Sequence, residues 1–466
     1  METEEAATKL GIEYLNDLGP EFYPWELREI KDNIRKSGKG LAGSGYGYAI
    51  IHAFAEYGNE EAVRILLQKG AYVDAKDGFL RTALSFAVQN GHVKAVQLLS
   101  EKGADLEQKD SFGQTVLGMA VQIGNEDVVR VLLKNWACFE AKDNEGQSVL
   151  SLAVQNGHLG IVRLLLEEGA DIEAKDNLGW TALGMAIHAG RKEVVRILLE
   201  RGANIEAKIG KWGATALSVA AGGGNYEVVQ ILLEWGADIE ARTDNGHTAL
   251  SLAAGKLLNL SVVEMLLEKG ANIESKNLQG RTVLSSAVLN RDETMVRSLL
   301  QRGACIDAKD NQGQTALSLA VQDSMRGSVF GASWHLIKVL LDNGADVEVK
   351  NSQGRTLLSV AAMNNDEFLV HSLLERGACI DAMDNDGNTA LRLAVQNWRE
   401  GTSETMESVL LLMQKGAFVT KEIRKQVLDL ARPRGSGQRA REALVELLTN
   451  KKLAGKGNRT WYGLKR

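Results

Sequence analysis

The sequence predicts an all-α solenoid of stacked helix-turn-helix units, and three observations carry that prediction. The same residue types return every 33 residues through most of the chain. Turn formers and helix-capping residues punctuate each copy at fixed slots. Apolar residues fall at helical spacing twice per copy, as in Ile161, Val162, Leu164 and Leu165. Self-similarity at this period overrides the soft prior of about 150 residues per domain, which would divide 466 residues into three globular bodies.

Six blocks of 33 residues align without gaps: 77–109, 110–142, 143–175, 176–208, 277–309 and 351–383. Blocks 209–242 and 243–276 each carry one extra residue, 310–350 carries eight and 384–421 carries five. A weaker copy occupies 44–76, so eleven repeats are expected over 44–421. Each opens on turn chemistry such as Asp143-Asn144-Glu145-Gly146, where Asx side chains bond their own backbone and Gly accepts positive φ. Thr115, Thr181, Thr248 and Thr315 are then placed to cap a short first helix. Gly91, Gly124, Gly157 and Gly190 end it with a left-handed cap. A second helix follows, stopped by Gly169-Ala170 and its equivalents. One helix pair cannot bury both its faces, so stability must come from stacked neighbours.

Exposed ends of such an array need polar caps. Residues 1–43 are read as a helical cap, broken by Pro20 and Pro24, and a Gly-rich hinge; Trp25, Leu27 and Ile30 suit packing on the first repeat. Residues 422–450 read as a degenerate capping repeat with helical stretches Val427–Ala431 and Ala440–Leu448, and 451–466 as a basic tail. The net charge of −6 divides unevenly: residues 421–466 hold 13 Lys+Arg against 4 Asp+Glu, and the remainder 41 against 56. The body is therefore acidic and the tail basic. No run of about 18 apolar residues is present to span a membrane. The acidic start METEEAATKL lacks the pattern of a secretory signal. An intracellular protein is expected, in the cytoplasm with the nucleus left open.

On these residues the block resembles the ankyrin-repeat family, and the long, closely similar array resembles those found chiefly in fungi. The resemblance implies β-turn fingers joining antiparallel helix pairs, and a role in binding other proteins. There is a departure. The family's Thr-Pro-Leu-His stands here as Thr-Ala-Leu-Ser (82–85) or Thr-Val-Leu-Gly (115–118), and only the first copy keeps a histidine, His52. Losing Pro removes a preset first helical turn, and losing His is expected to remove a bond to the loop.

Partners of this family contact the turn tips and the concave groove along the first helices. Slot by slot, that marks Phe79, Phe112, Leu178, Trp180, Trp212 and Leu278 at the tips. Large aromatics there are enriched among interface hot spots; the alternative is that each ring folds over the neighbouring finger. Trp180 and Trp212 fall in adjacent repeats, suited to one patch. In the groove, Gln89, Gln122, Gln155, Gln322 and Gln396 share one slot, and His188 also ends a first helix. The row suits hydrogen bonding to an extended peptide, although recent duplication would produce it as well.

Other constellations have plainer readings. Gly38-Lys39-Gly40-Leu41-Ala42-Gly43 spells G-x-G-x-x-G but lacks the strand before and long helix after that phosphate binding needs. Asp384-Asn385-Asp386-Gly387 and its copies lack the alternating oxygens and closing Glu of a calcium loop. The histidines are scattered without H-E-x-x-H, so no metal is expected. Cys138, Cys305 and Cys379 share the slot after Gly/Trp-Ala in separate repeats, beyond disulfide reach, and are expected as free thiols. No catalytic signature or cofactor motif stands out.

The favoured function is a monomeric, non-catalytic scaffold or adaptor. Its competitors are a sensor or targeting arm derived from a larger receptor, and an enzyme with a site in the N-terminal cap or in the repeat 9 insertion Ser324–Ser333, expected as a loop between that repeat's helices. The basic tail, with Trp461 and Tyr462 to stack, suits nucleic acid or an acidic membrane surface, though a solvated tail is the simpler reading.

Overall fold

The computed structural model describes residues 50–430 except 69, 258, 327–329, 352 and 398–406, and leaves out the side chains of 323–334 and 430. The expected N-terminal cap and hinge, the Ala440–Leu448 part of the C-terminal cap and the basic tail lie outside the described residues. Among those residues there are 23 helices and no sheet. The isolated bridges Lys142–Ser148, Ile209–Ala214 and Lys350–Thr356 pinch individual fingers.

The helices come in consecutive pairs, and one pair shows why. Asp143 starts a finger that closes with Asp143 N–H donating to the Gln147 carbonyl at 3.1 Å, with Gly146 at φ 76°. Ser148 follows in extended conformation and accepts from the Ser151 N–H at 3.2 Å, opening the first helix Val149–Asn156. Gly157 ends that helix in the left-handed region at φ 78°. The second helix, Leu159–Glu167, follows directly. The expected caps Thr115, Thr181 and Thr248 do the same in their repeats.

The two helices bury different amounts. The first packs between Val116–Ile123 and Ala182–His188, the first helices of the adjoining repeats. It is therefore buried almost all round, from Val149 to Val154. The second buries only the stripe Ile161, Val162, Leu164 and Leu165. Each such aliphatic side chain contributes about 1.5–3 kcal/mol, and the stripe packs both on the first helix of its own repeat and on the second helices of the adjoining repeats.

Histidine loss has the expected consequence. His52 Nε2 lies 2.7 Å from the Ala75 carbonyl, tying the first helix to the loop that enters the next finger. Most later repeats put Ser in this slot, and Ser85 and Ser218 turn back to complete capping boxes with Thr82 and Thr215.

The chain forms two compact units, 1–244 and 245–466. Within the first, polar bonds recur from each repeat to the next. Lys109, Lys142 and Lys175 Nζ donate to the carbonyls of Lys142, Lys175 and Lys208 at 2.6, 2.9 and 3.1 Å. In the other direction, the carboxylates of Glu107, Glu140, Glu173 and Glu206 accept from the N–H groups of Cys138, Asp171, Asn204 and Asp238 at 2.7–2.9 Å. The second unit repeats both patterns, with Lys276 to the Lys309 carbonyl at 3.0 Å and Cys305 N–H to Glu274 at 2.7 Å. This explains the cysteine slot. The fold uses its amide and leaves the side chain outside, so Cys138, Cys305 and Cys379 are exposed free thiols.

Two of the departures from the pattern bear on the surface. Second helices are followed by a positive-φ glycine (Gly103, Gly169, Gly202), but in repeat 3 the slot holds Trp136 at φ 67°. The repeat 9 insertion is not the projecting loop expected. Most of it is taken up by longer helices, Ala316–Arg326 and Phe330–Asp342. The last described helix, Lys421–Leu430, buries Ile423 and Val427.

Candidate partner-binding groove

Several of the fingers are built on one carboxylate each. Asp110 Oδ1 accepts from the N–H groups of Phe112 and Gln114 at 2.8 and 2.9 Å, and Asp143 Oδ1 from those of Glu145 and Gln147, both at 2.9 Å. Asp77 holds Phe79 and Arg81 in the same way. With the backbone spent on this turn, the tip side chains stand in solvent: Phe79, Phe112, Leu178, Trp212 and Leu278 are all more than half exposed. Trp180 is different. Its ring meets His188 edge-on at 5.4 Å and lies over Gly210 of the next finger, where a Cβ would come within 3.4 Å of Nε1. That ring packs on its neighbour and is half-buried.

Fingers and first helices of repeats 2–4 enclose a groove of about 920 Å³. It brings together five of the residues marked from the sequence: Phe79, Phe112, Gln89, Gln122 and Gln155. Leu178, Trp180, His188 and Trp212 belong to repeats 5 and 6 and do not line it; Leu278, Gln322 and Gln396 lie in the second unit. Gln322 is half-buried and accepts from Gln314 Nε2 at 3.4 Å, whereas Gln396 is exposed.

Sequence reasoning missed part of the lining. Met119, Ile123 and Leu152 supply an apolar floor, and Arg81, Asp110, Asp143 and Glu145 supply charge. A signal existed for Ile123, which is 47% exposed in the slot where repeats 2 and 4 have Asn90 and Asn156. Those two asparagines donate back to the Phe86 and Leu152 carbonyls at 3.0 and 2.9 Å, so they finish their helices. The glutamines before them keep both donor and acceptor for a ligand. Arg81 bridges groove and core, its guanidinium 4.4 Å from the Phe86 ring centroid and 5.4 Å from that of Phe79.

The groups with shifted titration lie outside this groove. Burial lowers the pKa of His52, and likewise of His247. For Asp384 burial acts upward, but bonds from Asn388, Arg355 and Asp386 outweigh it and hold the carboxyl below its ordinary value. A hydrogen bond shared with Glu407 raises Glu367. Among the described residues no cluster of three or more His, Cys, Asp or Glu is placed to hold a metal ion. No helix among them is long and apolar enough to cross a membrane.

A family model described as ankyrin repeats (3 copies) matches in overlapping stretches: 30–110, 102–176, 168–243, 207–277, 250–330 and 324–423. The chain belongs to the ankyrin-repeat family. No curated protein matches it. Among solved structures it is similar to the ankyrin repeat domain of Bcl-3, described as a unique member of the IkappaB protein family. That match is at 30% identity over 48% of this chain and 100% of that one, with a TM-score of 0.44. Ankyrin repeats are in general modules that bind other proteins, and ankyrin-repeat proteins are typically not enzymes. In repeats 2–4 the finger tips and first helices line this groove together.

Proposed function

We propose that this ankyrin-repeat protein is a non-catalytic, monomeric scaffold or adaptor that holds a partner protein along its finger tips and first-helix groove. The observation that carries this reading is the groove of about 920 Å³, where exposed Phe79 and Phe112 stand beside Gln89, Gln122 and Gln155. Apolar anchors next to unspent carboxamides are what an extended peptide requires. Its side chains desolvate the rings, and its backbone pairs with the amides. Exposed Trp212 extends the contact along the tips.

The test is a comparison of three full-length baits in lysate: wild type, Phe112→Ala/Gln122→Ala, and Trp212→Ala. Retained proteins are identified by mass spectrometry and their affinities then measured with purified partner. Loss of a desolvated aromatic anchor is worth about 2 kcal/mol or more, roughly 30-fold in affinity. A partner held by wild type and lost by the groove variant is the expected result. A partner profile indifferent to both variants would overturn the reading.

A further inference from the structure

The groove carries charge that its own fold does not need. Every finger built on Asp uses Oδ1 to accept two backbone N–H bonds, but that job requires an oxygen and not a charge. Asn277 and Asn351 occupy the same slot and make the same pair of bonds, at 2.9–3.0 Å, to Gln279 and Arg281 and to Gln353 and Arg355. Where Asp is kept elsewhere, its second oxygen often has a cation. Asp77 Oδ2 receives Arg81 at 2.7–2.8 Å, Asp384 Oδ2 faces Arg355 at 3.4 Å, and Asp310 Oδ2 faces Arg281 at 3.8 Å. Those three carboxylates are buried.

Asp110 and Asp143 break that arrangement. The arginine slot beside them holds Gln114 and Gln147, and the guanidinium of Arg81 is already engaged by Asp77. Among the described residues, no basic side chain lies within ion-pair distance of either carboxylate, and both are only half-buried. Glu145, exposed at the next finger tip, adds a third negative charge to the lining, against Arg81 as its one cation.

Resting on the proposed role of this groove, we infer that its occupant is an extended segment of a partner protein carrying two cationic side chains about three residues apart. The spacing follows from geometry: neighbouring repeats stack about 8–10 Å apart, and extended chain advances about 3.3 Å per residue. The cations meet Asp110 and Asp143, while apolar side chains between them cover Phe112 and Ile123. Charge complementarity of this kind sets register and rejects acidic segments. The same carboxylates repel nucleic acid from this face.

The test uses the full-length chain and a random peptide library displayed on phage, selected at low salt. Selected peptides are then synthesised and titrated against wild type, Phe112→Ala, and Asp110→Asn/Asp143→Asn. The Asn pair keeps both finger turns, as Asn277 and Asn351 do naturally, so it removes charge alone; an unchanged melting curve verifies that. The expected result is enrichment of Lys or Arg at the stated spacing, with binding weakened by Phe112→Ala. The Asn pair should lower affinity about threefold to tenfold per lost charge pair, an effect that shrinks as salt rises. Peptides that depend on Phe112 but are indifferent to the Asn pair would overturn the cationic occupant and leave the groove reading standing. Selection of no peptide that depends on Phe112 would sink both.

Discussion

Trp136 sits where the other repeats of its unit place glycine. The glycines at this slot, Gly103, Gly169 and Gly202, hold φ between 81° and 92°, and a Cβ built on any of them meets nothing within 4 Å. A side chain there projects into solvent, and Trp136 is accordingly 92% exposed. It bears the cost of the left-handed backbone without packing in return. Trp136→Gly is therefore expected to stabilise the chain by about 1 kcal/mol, net of the glycine entropy cost, read as a raised urea midpoint. His52 yields a prediction of the other sign. Burial favours its neutral form, so the unfolded chain binds a proton that the folded chain resists. Stability from this residue is complete above the ordinary value of 6.5 and falls as pH drops below it. Urea unfolding from pH 8 down to 5 should show that decline, and His52→Ser should make it shallower, leaving the share of His247, at the expense of the bond to Ala75.

A first helix and the elements of the next repeat come close enough for single methyl groups to matter, and the two glycines of the Thr-x-Leu-Gly copies show it. A Cβ on Gly184 would lie 2.7 Å from Ile209 Cγ2, inside a buried contact, whereas one on Gly118 would meet Leu152 at an ordinary 3.8 Å. Gly184→Ala should cost about 1–3 kcal/mol. Gly118→Ala should add about 0.5–1 kcal/mol through helix propensity, and parallel thermal melts would separate the two. Helices of this kind were legible in the sequence because each carries its own start and stop. Thr115 and Gly124 bracket one, and the apolar residues between them declare its face. What stayed illegible needed contact across repeats. Asp110 reads as a turn former in its own finger, and only the absence of a neighbouring arginine makes its charge available. The ring of Trp180 lies flat because the next finger offers Gly210, and Trp212 stands out although its letter is the same. The repeat 9 insertion misled for a local reason. Its length suggested a loop, yet Met325, Arg326 and Ala332 are adequate helix formers, and helices run on wherever nothing stops them.

At the scale of the molecule, the bonds between repeats reach, among the described residues, only one neighbour forward or back. A nearest-neighbour ledger of stability follows. Glu107→Ala and Glu206→Ala loosen interfaces that share no repeat, and their effects on unfolding free energy should add within about 0.5 kcal/mol. Glu140→Ala and Glu173→Ala both touch repeat 4, and their sum should miss the double variant by more. Amide hydrogen exchange of each single and double variant would decide it. The forward bonds of the lysines have a further consequence, because every acceptor is a main-chain carbonyl: that of Lys142, of Lys175, of Lys208. A joint that recognises backbone is indifferent to the residue on its far side. Copies of the unit are in that sense interchangeable parts, and a chain assembled this way can grow, shrink or exchange its reading surface by whole modules while each seam closes as before.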